Sequence, residues 1–373
     1  MQSDSIVYKF YYQWWKNIDK SIFLLISLLF IIGLFFSLVS TSLIASDKLD
    51  TNSYFFFFKH LIYVLIGISL IFIFSSLNSD QLYKYSIILF FVSLISLFLV
   101  PFIGVEVKGS KRWIDLFFLP RFQPIEVLKP FLIIILATIL CDIKSNILFK
   151  YLISIFLISF ISLLLIAQPD IGQTLLVIFC WAVLIFTSGI NIYILLAIFI
   201  AGASLLTYLI IYVPRFDYIQ GRIFSFFNRE TGTHNFQSDK AIESITSGGF
   251  FGKGIGEGVL KNRVPEAHTD YIISVISEEF GVVAIMLILL LFLILIYMVF
   301  KKISFETNDK AKLILIGSIS LILMQATIHI GVNIRLFPTT GMTLPFLSYG
   351  GSSIISTSIL AGIILNLTKR KIT

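Results

Sequence analysis

The sequence predicts an all-α polytopic membrane protein of about ten transmembrane helices, and three observations carry that expectation. Of its 373 residues, 57% are hydrophobic and only 13% charged, whereas soluble domains carry about a quarter charged residues. The apolar residues fall in runs close to the roughly 20 that cross a hydrocarbon core. The ionisable residues gather in a few connections between those runs.

The chain opens on a short basic and aromatic tail, 1–20, containing Lys9, Trp14, Trp15, Lys16 and Lys20. The run 21–45 reads as the first span, because it exceeds the roughly 7–15 apolar residues of a signal peptide and lacks a clean cleavage site. Further spans are expected near 60–77, 86–104, 126–142, 150–167, 170–187, 191–212, 271–299, 312–333 and 351–367. An even number of crossings returns both termini to one side. The short tails and the Lys-rich connection 301–312 decide which side, since long connections such as 105–125 and 213–270 translocate largely regardless of charge. Both termini are therefore expected in the cytoplasm. Connections 105–125, 168–170, 213–270 and 334–350 then share the extracytoplasmic face, with the large loop 213–270 between spans seven and eight. No internal repeat or low-complexity linker divides the chain, so a single integral domain over 1–373 is expected.

Composition also excludes. Cys141 and Cys180 lie in apolar runs and read as small buried hydrophobes rather than a disulfide framework. The net charge of +7 is scattered among loops with no basic domain, which disfavours nucleic acid and suits anionic lipid or phosphate partners.

Nearly all the unusual chemistry sits on the expected outer face. Segment 105–125 mixes Lys108, Lys111, Arg112 and Arg121 with Trp113, Phe117 and Phe118, as an amphipathic segment lying in the membrane interface does. A guanidinium such as Arg112 also offers the donor fork that clamps a pyrophosphate. Glu126 and Lys129, three apart at the start of a span, share a helical face and can pair. Ionisable groups at membrane depth are functional candidates, because burial is costly unless they are paired. In QPDIGQT, 168–174, Asp170 either caps the next helix or orients a basic neighbour or a cation. The glycines of GGFFGKGIGEG resemble a nucleotide-binding loop only superficially, since no strand precedes them; a flexible lid or re-entrant crossing fits better.

The densest cluster is RVPEAHTDYIISVISEEFG, 263–281, which sets Glu266, His268 and Asp270 at the mouth of a span, with Glu278 and Glu279 two turns deeper. Helix capping by Thr269 or Asp270 explains it as well as chemistry does, although carboxylates at a low-dielectric edge are where general bases are tuned. At least one of Glu278 and Glu279 is a candidate for locking the helix internally. RLFPTTGMTLPFLSYGGSS, 335–353, is a Pro- and Gly-interrupted entry to the last span, of a kind tolerated at membrane depth where it lines a cavity. There Ser348, Gly350, Gly351 and Ser352 either offer backbone N–H groups to an anion or pack helices closely.

Taken together, KGSKRWI, QPIEVLKP, QPDIGQT, PEAHTDYIISVISEEFG and GMTLPFLSYGGSS resemble the SEDS family of cell-wall polymerases, in order and across nearly the whole chain. The wording of KGSKRWI, PEAHTD and GMTLPF is closer to the family's septal branch, in its alphaproteobacterial form, than to its elongation branch. The resemblance implies a multi-pass inner-membrane peptidoglycan glycosyltransferase, active on the periplasmic face at the division septum. It implies lipid II and the nascent glycan strand as substrates, with a class B penicillin-binding transpeptidase, other division proteins and membrane lipids as partners. It implies Asp270 as the catalytic base, deprotonating the acceptor 4-hydroxyl for inverting attack that expels undecaprenyl pyrophosphate. Lys108, Arg112, Trp113, Glu126, Lys129, Asp170, His268, Ser348, Gly351 and Ser352 become substrate-binding candidates. A divalent cation, magnesium or manganese, is the one cofactor it allows, and no organic cofactor is expected. Departures are Ile125 where the family usually has Ser, Arg335 where Gly is common, and Thr340 where Lys is frequent; they weaken the case for anion binding by the last loop. An elongation-type polymerase and a flippase of lipid-linked precursors stay open as alternatives. The flippase should show repeats and charges at the bilayer midplane, which this sequence does not clearly carry.

Overall fold

A computed structural model describes residues 2–41, 54–107, 110–116, 119–142, 147–213, 216–228, 236–260 and 264–369. Its helices are α1 (Gln2–Asn17), α2 (Lys20–Thr41), α3 (Phe55–Ser76), α4 (Ser79–Ile103), α5 (Pro124–Asp142), α6 (Ile147–Ala167), α7 (Ile171–Thr187), α8 (Ile192–Tyr212), α9 (Asp217–Asn228), α10 (Phe236–Gly248), α11 (Ile272–Phe305), α12 (Asp309–Asn333) and α13 (Gly351–Leu367). Strands β1 (Val105–Val107), β2 (Ser110–Leu116) and β3 (Leu119–Phe122) lie between α4 and α5.

Among the described residues, eight helices, α2 to α6, α8, α11 and α12, are long and apolar enough to cross a membrane. The apolar helices α7 and α13 have 17 residues each, which rise about 26 Å, just under the roughly 30 Å of hydrocarbon. Each expected span coincides with one of these ten helices. Helices α5, α12 and α13 form the buried centre, with Phe131, Ile314 and Leu360 almost without exposure. Helix α8 lies outermost, with Leu195 its one buried residue among those described.

The two ends of the chain meet at one end of the bundle. Trp14 of α1 donates its indole N–H to Ser75 Oγ at 2.8 Å. Asn366 of α13 donates to the carbonyls of Phe74 and Leu77 at 2.8 and 2.7 Å, and Lys369 Nζ to Leu77 O at 3.0 Å. These side chains satisfy carbonyls that the end of α3 leaves without helical partners. The tail expected at 1–20 is thus largely a helix of its own, docked on that end. Asp19, between α1 and α2, pairs with Lys302 near the end of α11 at 2.6 Å and ties a third span to the same place.

Two expectations are corrected. Segment 105–125 folds not as one continuous stretch but largely as an antiparallel meander, β1-β2-β3, with Val105 opposite Trp113, Val107 opposite Ser110 and Leu116 opposite Leu119. The alternating pattern of VEVKGSKRWIDL, with Lys-Gly between the two strands, is a hairpin signal that the basic-aromatic composition obscures. The eighth span is likewise longer than expected. Its 34 residues would rise about 51 Å as one rod, but Gly281 breaks it with φ 76° and ψ −176°. The stretch before the break, Ile272 to Glu279, is buried among neighbours, and 282–305 is itself long enough to span.

Candidate active site

Three segments converge at the end of the bundle opposite the chain termini, and the first is the turn before α11. The backbone N–H groups of Thr269, Asp270 and Tyr271 all donate to Glu266 O, at 3.0, 3.1 and 3.3 Å. Val264, Ala267 and Tyr271 bury beneath it. Tyr271, not Asp270, occupies the N-cap position of α11, and it makes no side-chain cap. From α12, Asn333 donates Nδ2 to Asp270 O at 3.0 Å and to His329 O at 2.8 Å, which pins the turn to the bundle. The Asp270 carboxylate is half-buried.

The second segment, 334–350, descends into the bundle, with Met342, Leu344, Phe346, Leu347 and Ser348 buried. Non-helical backbone at that depth must find internal partners. His329 Nδ1 meets Met342 O at 2.7 Å, Gln325 Nε2 donates to Thr343 O at 3.1 Å, and Leu344 N donates to Ser348 Oγ at 2.9 Å. The bend at Gly341 is open: Gly341 is exposed, with φ +71°. A Cβ placed on Gly341 would stand 3.6 Å from Asp270 Oδ2, so the carboxylate lies over that bend. Thr340, the preceding residue, packs against Gly172 of α7 so closely that a Cβ there would come within 2.8 Å of Thr340 Cβ. The Thr340–Gly341 bend therefore joins Asp270 to the 168–174 turn.

The third component is a buried polar chain running inward from that turn. Arg112 of β2 donates Nε to Gln168 O at 3.2 Å and Nη2 to Pro169 O, and its Nη1 stands 3.7 Å from Asp170 Oδ1. Asp170 accepts from Gln123 Nε2 at 2.7 Å and caps α7 through Gln173 N at 3.4 Å. Burial pushes the Asp170 carboxyl above its ordinary value, against the opposing pull of Arg112. Gln173 Nε2 donates to Glu126 Oε1 at 2.5 Å, Glu126 Oε2 pairs with Lys129 Nζ at 2.9 Å, and Lys129 donates to Gln325 Oε1 at 3.2 Å. Gln325 passes the chain on to Ser353 Oγ at 3.2 Å. Alternating charge and amide lets every member be partnered away from water, as buried charges require.

Of the residues expected at the site, Asp270 lies over the Thr340–Gly341 bend, Arg112 and Asp170 belong to the 168–174 turn on which Thr340 packs, and Glu126 and Lys129 lie deeper in the polar chain. Lys108 falls outside the described residues. Trp113 is half-buried on β2. His268 stacks near Phe56, with ring centroids 4.6 Å apart, and near Tyr349 at 5.9 Å; its carbonyl accepts from Tyr349 N at 3.2 Å. Burial, with Tyr63 nearby, pushes the Tyr349 hydroxyl up to about 12. Ser348 braces its own turn, Ser352 Oγ accepts from Gln123 N at 2.9 Å, and Gly351 packs against the ring of Tyr63. These last three work as close-packing and bracing groups. Gln123, Gln173 and Gln325 join this polar chain, and His329 and Asn333 brace the 334–350 segment and the Asp270 turn, though the sequence alone singles out none of the five. An amide within an apolar run, as in LILMQATIHIGVN, was the available signal.

Glu126, Lys129 and Asp170 are 4%, 0% and 2% exposed, whereas Asp270 is half-buried beside the open Gly341 bend.

Known proteins resemble the chain over nearly its whole length. Residues 19–372 match the family model FTSW_RODA_SPOVE, described as cell cycle protein. A protein named probable peptidoglycan glycosyltransferase FtsW from Caulobacter vibrioides is 30% identical over 366 residues, spanning 96% of this chain and 91% of the relative. One of the same name from Coxiella burnetii is 33% identical over 340 residues, spanning 88% and 90%. Among solved structures, a chain described under "Structural coordination of polymerization and crosslinking by a peptidoglycan synthase complex" superposes with TM-score 0.77 at 26% identity, over 94% of this chain and 97% of that one. The rod shape determining protein RodA of Thermus thermophilus superposes with TM-score 0.69 at 26% identity, over 94% and 96%.

Proposed function

The chain belongs to the FtsW, RodA and SpoVE family of cell cycle proteins, and on that premise we propose that it is a division-type peptidoglycan glycosyltransferase polymerising lipid II into glycan strands. The observation that carries the reading is the half-buried Asp270 carboxylate over the open Gly341 bend, at the lip of a buried polar chain.

Asp270 takes the proton from the 4-hydroxyl of the acceptor sugar. The oxygen attacks the anomeric carbon of the donor from the face opposite its lipid, and undecaprenyl pyrophosphate leaves with inversion. Because a pyrophosphate is stable as an anion, the step needs charge stabilisation more than a strong general acid. Arg112 is placed for this: its side chain is 16% exposed, and its bonds to the 168–169 carbonyls leave N–H donors on the guanidinium. Lys129, fully buried and doubly partnered, organises the frame instead.

Among the described residues no three His, Cys, Asp or Glu side chains converge into a metal cage. A divalent cation would be held by the substrate's phosphates rather than by Asp270, which serves as the base on the acceptor side. When bound it supplies charge neutralisation to the departing pyrophosphate.

Lys301, Lys302, Lys310, Lys312 and Lys369 cluster at the end of the bundle that holds the chain termini, which supports a cytoplasmic placement of that end. Asp270 then opens to the periplasm. The structural neighbour that couples polymerization to crosslinking supports a class B penicillin-binding transpeptidase as partner, and the names of the relatives support action at the septum. Purified protein reconstituted with such a transpeptidase in vesicles should convert labelled lipid II to strands resolvable on a gel. Translocation of lipid II without any polymer would instead favour a flippase and overturn the reading.

A further inference from the structure

The glycine-rich stretch 248–258 is bonded to its neighbours through its backbone. It folds against the break in α11, where Val282 N and Val283 N donate to the carbonyls of Gly249 and Phe250 at 3.0 and 3.2 Å. Lys253 N and Gly254 N donate to the carbonyls of Glu278 and Glu279 at 2.9 and 3.1 Å. The loop thereby satisfies backbone groups that the break at Gly281 deprives of helical partners. The two backbones come so close that a Cβ on Gly252 or on Gly281 would overlap the facing chain.

Buried carboxylates lock the contact. Glu278, with no exposure, accepts from Ser244 Oγ and from Leu260 N, both at 2.9 Å, and pairs with Lys253 Nζ at 3.5 Å. Glu279 accepts from Gly256 N at 2.8 Å. Both acidic residues thus act as internal locks of the loop and helix, where the sequence reading allowed for at least one.

This rigid element presents two adjacent aromatic side chains outward: Phe250 is 76% exposed and Phe251 83%. Their backbone lies beside Val282 and Val283, which with Met286, Leu287 and Leu290 form an exposed apolar face. That face belongs to the stretch of α11 that crosses the membrane, so lipid covers it. The two phenylalanines continue it without interruption.

We propose that Phe250 and Phe251 insert into the bilayer at the Asp270 end of the bundle, as a re-entrant anchor that sets the height of 236–280 relative to the lipid surface. The occupant of this patch is the acyl region just below the headgroups. The fixed backbone lets the rings enter while the loop's polar groups stay bonded to Glu278 and Glu279, which unpaired loop backbone in hydrocarbon requires.

The test uses the full chain, with Cys141 and Cys180 changed to Ala, in vesicles of phosphatidylethanolamine and phosphatidylglycerol. F250C and F251C are labelled separately with an environment-sensitive fluorophore, so that failure of one variant to fold leaves the other. Leu290→Cys on the lipid-facing side of α11 and Glu257→Cys on the exposed part of the loop serve as references. The expected result is blue-shifted emission at 250 and 251, quenched several-fold more by lipid carrying a quencher near the headgroup than by aqueous iodide. Water-like emission quenched by iodide, as at 257, overturns the proposal. So does protection from both quenchers, which means that protein rather than lipid covers the patch.

Discussion

The Asp270 carboxylate lies over the bend at Gly341: its Oδ2 stands 3.6 Å from where a Cβ on Gly341 would be, in van der Waals contact. Gly341 also holds φ +71°, a conformation that costs most L-residues roughly 1–2 kcal/mol. Gly341→Ala is therefore expected to lower the melting temperature slightly and the polymerisation rate several-fold. Gly341→Asn separates the two effects, because Asn tolerates positive φ yet still places a Cβ beside Asp270. It should recover the melting temperature and not the rate; recovery of both would mean that Asp270 does not need the open bend.

Glu126 and Lys129 form a buried ion pair at 2.9 Å. Removing one partner of such a pair costs about 3–5 kcal/mol, because the other charge is left uncompensated, while replacing both is far milder. Lys129→Met should therefore lower thermal stability in detergent sharply, and Glu126→Gln with Lys129→Met should restore much of it. Additive losses in the double variant would show that the two charges act independently.

Arg112 bonds two carbonyls of the 168–169 turn and faces Asp170, a planar arrangement that a lysine ammonium does not reproduce. Arg112→Lys and Arg112→Ala are expected to insert and express near normally and to raise the KM for lipid II. A variant that fails to insert, with no change in lipid II use by the fraction that does, would assign Arg112 to anchoring alone.

Burial acts to raise the Asp19 carboxyl, but the hydrogen bond and charge of Lys302, with the Ile22 and Ser21 N–H groups, outweigh it and hold Asp19 below the ordinary value of 3.8. A depressed carboxylate contributes stability above its unfolded pKa and loses it as pH falls through the folded one. The gap in melting temperature between wild type and Asp19→Asn should thus be full at neutral pH and close only below about pH 4. A gap unchanged in acid would remove Asp19 from the contacts holding α2 to α11.

The spans were legible because apolar length is a one-dimensional property, and 126–142 or 312–333 need no partner to be read as α5 or α12. The meander at 105–122 was not, since its few residues carry basic and aromatic side chains that also suit a membrane surface. Glu126 with Lys129 was readable from spacing alone, whereas Gln325 joins them across almost two hundred residues and only packing reveals it. Asp270 stood equally well as a helix cap until the structure placed Tyr271 at that position. Gly341 has no side chain to read; its part follows from what lies opposite.

The most direct measurement is lipid II polymerisation by purified Asp270→Asn, alongside wild type, with the transpeptidase partner present and folding and partner binding checked on the same samples. The expected result is loss of glycan strands with both checks unchanged, because Asn keeps the shape and the backbone bond to Asn333 but cannot accept the proton. Strands at the wild-type rate would contradict Asp270 as the base.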